Sequence, residues 1–132
     1  MSERYKNRHA AFNLHVHLVF ITKYRKNVLG VLHHDYFSEC AAEVCKSFDA
    51  ELKECNGEAD HIHMLIQYPP TVQLSKLVNN LKSVTSRRMR GDFIDLRAAY
   101  SKPVLWSRSY FASSCGGAPL DIIKQYIQNQ QG

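Results

Sequence analysis

Apolar and polar residues alternate along two stretches of the chain and recur at helical spacing along two others. From Leu14 to Lys23 the residues are β-branched and aromatic enough for a strand. Asp35 can then cap a helix whose apolar residues Phe37, Cys40, Ala41, Val44 and Phe48 fall on one stripe. Residues 50–56 read as a short strand, Asn56-Gly57 as a turn signal and Asp60–Tyr68 as a stronger strand ended by Pro69-Pro70. An amphipathic helix follows, with Leu74, Leu77, Val78, Leu81 and Val84 as its buried stripe. Val104–Phe111 reads as a fourth strand. Gly116-Gly117 breaks the chain, and Pro119 is placed to open a last helix that runs through Gln130.

The order β-α-β-β-α-β plus a terminal helix predicts an α+β fold. It is the ferredoxin-like split β-α-β pattern: a four-stranded antiparallel sheet, both main helices on one face, and a C-terminal helix. All 132 residues form a single domain in this reading, with 1–12 as a loose polar arm and 118–132 as the tail helix. Strand alternation then assigns the faces. Leu14, Val16, Leu18 and Phe20 point one way, and His15, His17, Val19 and Ile21 the other. In the third strand Ile62, Met64 and Ile66 oppose His61, His63, Leu65 and Gln67. The purely apolar faces belong under the helices, so the histidines gather on the open face of two central, neighbouring strands.

Composition adds bounds. The chain is 45% hydrophobic, which suits a globular core, and no apolar run approaches the roughly 20 residues of a membrane span. The start lacks the apolar stretch of a secretory signal. Cys40, Cys45, Cys55 and Cys115 have no C-x-x-C spacing, so a reducing cytoplasm is the simplest expectation. Net charge is +5, with 17 Lys and Arg against 12 Asp and Glu. Its distribution says more. Between Asp60 and Asp92 there is no carboxylate, while Lys76, Lys82, Arg87, Arg88 and Arg90 fall there. A one-signed stretch suits a polyanion better than a solvated helix face does.

His61-Ile62-His63 places two imidazoles on one side of a strand, where they can share a cation. His15-Val16-His17 has the same spacing, so spacing does not say which pair binds. Either pair is also compatible with half-exposed strand histidines, and His15 and His17 can instead support the site. Tyr126 and Gln130, four apart, share one face of the tail helix, while Ile123 and Ile127 can dock it. Alone, such a tyrosine is usually a packing residue and such a glutamine a surface amide.

Together, D-H-I-H at 60–63, K-Y-R at 23–25, W-x-x-x-Y-F at 106–111 and K-Q-Y-I-x-x-Q at 124–130 resemble the single-tyrosine HUH transposases. These belong to the simplest bacterial insertion sequences and have housekeeping relatives associated with repetitive palindromes. The resemblance runs from Leu14 to Gln130. It implies that His61 and His63 are the HUH metal pair, Gln130 a third metal ligand and Tyr126 the nucleophile. It also implies Mg²⁺ or Mn²⁺ as cofactor, single-stranded DNA beside a hairpin as substrate, and a homodimer in which one subunit's tyrosine helix can complete the other's site. The Gly116-Gly117 pair is where that helix would swing.

The chemistry is consistent with those residue types. A phosphodiester resists attack until its charge is neutralised, and neutral imidazoles plus an amide oxygen hold a hard cation without cancelling its charge. Two imidazoles would accept Zn²⁺ as well. A covalent phosphotyrosine conserves the energy of the broken bond, so no nucleotide cofactor or G-x-x-x-x-G-K loop is required. Lys23, Arg25 and Lys26, with Arg87, Arg88 and Arg90, are candidates to grip phosphates. Trp106, Arg108 and Tyr110 share one face of the expected fourth strand and suit unpaired bases, although a tryptophan there equally suits the core. Two rivals remain open: a non-catalytic nucleic-acid-binding domain of the same fold, and a structural metal protein using His15, His17, His61 and His63.

Overall fold

A computed structural model describes residues 14–114 and 127–129. Four strands form one antiparallel sheet: β1 (His15–Ile21), β2 (Glu51–Glu58), β3 (His61–Gln67) and β4 (Phe111–Ser114), in the order β2-β3-β1-β4. Helix α1 (Val31–Ser47) connects β1 to β2, and α2 (Leu74–Asp92) leads from β3 towards β4 through a short α3 (Ile94–Ala99). The two central strands are β1 and β3, as the split β-α-β order requires.

Period-two alternation builds the core. Val16, Leu18 and Phe20 of β1 and Ile62, Met64 and Ile66 of β3 are buried against Phe37, Ala41 and Val44 of α1 and Leu77, Val78 and Leu81 of α2. Fully burying side chains of this size contributes about 1.5–3 kcal/mol each. Both helices therefore cover one face, and the histidine face is left to the other side of the sheet. No described helix is long and apolar enough to cross a membrane.

Four local expectations are corrected. Helix α1 starts a turn before Asp35, at Gly30, whose N–H donates to the His33 side chain at 2.8 Å. The β2–β3 turn lies at Ala59-Asp60, and Asn56-Gly57 stays in the ladder opposite His63 and Ile62. The turn signal loses there because pairing in register buries Ile62, Met64 and Ile66. Residues 104–110 are irregular, and β4 begins only at Phe111. Trp106 makes one bridge to Thr22 and turns into the core between Phe20 and Phe37, each 5.6 Å away by ring centroids. Its Nε1–H donates to the buried Thr85 hydroxyl at 3.0 Å, so the indole is satisfied inside and has no face to offer a base. The short α3 answers to no sequence expectation. The predicted arm at 1–12 and most of the tail helix lie outside the described residues.

Candidate functional site

The side of β1 and β3 that faces away from the helices carries His15, His17, His61 and His63. Cross-strand register sets their relations. His61 is opposite Ile21, His63 opposite Val19, and His17 opposite Leu65, so His17 and His63 are diagonal neighbours. Their nitrogens meet: His17 Nδ1 lies 2.9 Å from His63 Nε2, with ring centroids 5.1 Å apart and planes within 18°. The rings thus touch edge to edge through these nitrogens. His15 has its Nδ1 buried with no hydrogen-bond partner among the described residues.

His61 is oriented by its chain neighbour. Its Nδ1–H donates to Asp60 Oδ1 at 2.9 Å, which leaves Nε2 with a free lone pair. The other carboxylate oxygen accepts from Arg25 Nε at 2.8 Å, and the same guanidinium donates to the Gln128 carbonyl at 2.9 Å. Burial alone would raise the Asp60 carboxyl, but hydrogen bonds from His61 and Arg25 outweigh it and hold the group below its usual range. His63 is held below the usual imidazole value, first by burial and then by the neighbouring His17 and His61, against an opposing pull from Glu54. Both effects keep a neutral His63 beside an ionised Asp60, the protonation states that metal ligation and its supporting carboxylate need.

These residues face a cavity of about 440 Å³, also lined by Asn27, Asn56, Glu58, Ile127 and Gln128. Ile127 is buried against Val19 and Ile21, beside Phe111, on the histidine face. The docking expected of Ile127 is thus found, and Ile127 and Gln128 line the same cavity as His61 and His63. Tyr126, Gln130 and Ile123 lie outside the described residues.

The predicted DNA-contacting residues divide. Arg25 sits in the histidine cleft. Lys23, Lys26 and Arg108 line a second cavity on the other side of the Lys23–Arg25 turn. Tyr110 is half-buried, with Lys82 Nζ 5.7 Å from its ring centroid. Arg87, Arg88 and Arg90 belong to α2, across the sheet from the histidines. Arg88 pairs with Glu43 at 3.0 Å and Arg90 donates to Ser86 at 3.1 Å. Asp60 and the His17–His63 pairing are the functional features that residue spacing did not assign.

Among the described residues no three His, Cys, Asp or Glu side chains are grouped to hold a metal. The donor set nevertheless fits a cation in part, since His61 is held in place with an Nε2 that has no partner among the described residues, and His63 presents a ring on the same side of the same strand. A two-histidine site of this kind needs a further oxygen donor.

Over residues 10–130 the sequence matches the family model described as "Transposase IS200 like". The chain belongs to the IS200-like transposase family. It is 29% identical over 122 residues to the transposase for insertion sequence element IS200 of Salmonella typhimurium, covering 92% of this chain and 80% of that relative. It is 26% identical over 128 residues to the ISDra2 transposase TnpA of Deinococcus radiodurans, covering 97% and 91%. A crystal structure assigned as a transposase from the same organism superposes with a TM-score of 0.83 at 27% identity, over 95% of this chain and 96% of the other. A REP-associated tyrosine transposase bound to a REP hairpin shares the fold at a TM-score of 0.56 and 9% identity, over 86% and 61%. The ferredoxin-like architecture read from the sequence is therefore the architecture of transposases.

Proposed function

We propose that this IS200-like transposase cuts and rejoins single-stranded DNA beside a folded hairpin, through a 5′-phosphotyrosine on Tyr126, as a homodimer. The observation that carries the reading is the convergence on one sheet face of an oriented His61, a neutral His63 and the docked residue Ile127, which directly follows Tyr126 in sequence. The hairpin-bound relative of the same fold supports the substrate class.

In this reading the Tyr126 oxygen attacks the phosphorus, the bond to the 3′ oxygen breaks, and the phenolic proton ends on the departing 3′ hydroxyl. Rejoining reverses these changes with a second 3′ hydroxyl as attacker, so atoms and charge balance without a nucleotide cofactor. A phenol of ordinary pKa, about 10, needs help to react at neutral pH. His61 and His63 would hold Mg²⁺ or Mn²⁺, with the Gln130 amide as the oxygen donor that two imidazoles lack. Bound there, the cation supplies charge neutralisation at the phosphate and makes the phenolate less costly. Asp60 keeps His61 in the tautomer that leaves Nε2 free, and Arg25 keeps Asp60 ionised.

The test is a labelled single strand carrying a hairpin, incubated with the protein and Mn²⁺ and run on a denaturing gel. A covalent protein–DNA adduct is expected with the native sequence and none with Tyr126→Phe; an adduct in that variant would remove Tyr126 from the reaction. His61→Ala is expected to bind the hairpin strand and form no adduct. Loss of binding and folding together in that variant would mean a structural metal instead.

A further inference from the structure

The turn at Lys23–Arg25 separates two cavities. Two consecutive residues in it, Tyr24 and Arg25, have φ of 58° and 54°, the left-handed region that side-chain-bearing residues rarely enter. Its backbone is fixed regardless: Thr22 Oγ1 donates to the Lys26 carbonyl at 2.7 Å, and the Lys23 N–H to the Leu105 carbonyl at 2.8 Å. The consequence is a split. Arg25 turns into the histidine cleft, while Lys23, Tyr24 and Lys26 line a cavity of about 400 Å³ together with Tyr100, Lys102 and Arg108.

Among the described residues, that second cavity has four cationic side chains in its wall and no carboxylate. Among the described residues none of the four is ion-paired, whereas Arg25 and Arg88 each have an acidic partner. A fifth cation is close. Among the described residues Lys82 donates to the carbonyls of Ser107 and Arg108, and its ammonium is held below the usual value by burial and by the charge of Lys23. Uncompensated positive charge at this density is a site for an anion. Two aromatic rings narrow the anion's identity. Tyr100 is buried, with its hydroxyl donating to the Lys23 carbonyl at 2.8 Å and Lys26 Nζ 4.9 Å from its ring centroid, and it forms a fixed wall. Tyr24 is 64% exposed, a large ring held out into solvent by a strained backbone. A cation-lined cavity with an exposed aromatic edge recognises a phosphate that carries a base.

We propose that this cavity binds one unpaired nucleotide of the DNA strand, its phosphate among Lys23, Lys102 and Arg108 and its base stacked on Tyr24. The inference rests on the single-stranded DNA reading above and adds a subsite separate from the histidine cleft. Because Tyr24 and Arg25 are adjacent, a strand crossing the turn enters the cleft and the subsite together, which holds the scissile phosphate in register with the histidines.

Binding is measured with the full chain in EDTA, so that no cleavage intervenes, using fluorescent octathymidylate with one 2-aminopurine. Tyr24→Asn removes the ring while keeping a residue suited to left-handed backbone, and is expected to weaken binding about 10-fold. Tyr24→Trp is expected to bind at least as tightly as the native protein and to quench 2-aminopurine. Lys102→Gln with Arg108→Gln is expected to lower the slope of log affinity against log salt by about 0.7 for each phosphate left unneutralised. Thymidine 5′-monophosphate should compete better than inorganic phosphate. Native-like binding and quenching by folded Tyr24→Asn would overturn the subsite, and equal competition by inorganic phosphate would reduce it to an anion site with no base. If the native chain binds no octathymidylate at all, the DNA reading falls with it; if it binds but Tyr24 is indifferent, only the subsite falls.

Discussion

His63 shows what a single residue's surroundings decide. Only one hydrogen sits between its Nε2 and His17 Nδ1, 2.9 Å away. With that hydrogen on His63, its Nδ1 lone pair is free for a cation. With it on His17, His63 spends Nε2 as acceptor, carries its own hydrogen on Nδ1 and has nothing left to ligate with. Metal binding at His63 would select the first arrangement, and His17 would then be the acceptor that fixes it. His17→Leu, which cannot accept, is expected to weaken Mn²⁺ binding about 10-fold or more, the usual cost of losing such a support. His17→Asn, whose side-chain oxygen can take the place of Nδ1, should recover most of it. Titration calorimetry and the Mn²⁺ electron spin resonance signal of bound ion read both; equal affinity of His17→Leu and the native chain would show that His17 does not set the ring. The histidine pair itself was legible in the sequence, because period two needs no tertiary information. The pairing with His17 was not, because it depends on the register that sets His63 opposite Val19.

At the level of elements, the core strands and the two long helices follow from apolar periodicity, and the structure departs from the sequence reading where local signals compete with register. Asn56-Gly57 has the composition of a hairpin turn yet pairs within the ladder. Gly57 has a use there that composition does not reveal: a Cβ on it would lie 2.2 Å from the His61 carbonyl oxygen and 2.9 Å from the Ile62 Cα. The close approach of β2 to β3 at the cleft thus requires glycine. Gly57→Ala must push the two strands apart at His61, and is expected to cost about 1–3 kcal/mol, in the range of overpacking. The same displacement should lower Mn²⁺ affinity more than His17→Asn does. Thermal or urea unfolding gives the first number; a melting curve superimposable on that of the native chain would show that the ladder absorbs a methyl group. The stretch 104–111 fails as a strand for the opposite reason. Its alternation of Trp106, Arg108 and Tyr110 with Leu105, Ser107 and Ser109 has the right period, but Trp106 gains more by filling the space between Phe20 and Phe37 than by standing on a sheet.

Across the whole molecule the sheet acts as a partition. Its helix side carries the core, and the thiols of Cys45 and Cys55 sit in that layer, pushed up by burial to about 12 and about 11 from the ordinary 9.0. A raised pKa means that the folded chain keeps protons which the unfolded chain releases. Stability from these groups is then complete below about pH 9 and is lost as pH rises through 11 to 12. Each unit climbed beyond the ordinary value costs about 1.4 kcal/mol per thiol. Tyr100, raised by burial as well, adds a loss in the same direction. Urea midpoints should hold steady from pH 7 to pH 8.5 and fall steeply above about pH 9.5. Cys45→Ala should be less stable at neutral pH, from its lost packing, and should fall less steeply in alkali, from its lost titration. A Cys45→Ala slope as steep as that of the native chain would place the alkaline loss elsewhere. The histidine face, on the other side of the partition, is set apart by His63, which burial and the neighbouring His17 and His61 hold below the usual imidazole value. Metal binding and fold stability are thus expected to fail at different pH values, and following Mn²⁺ affinity and the urea midpoint over one pH series separates the two faces.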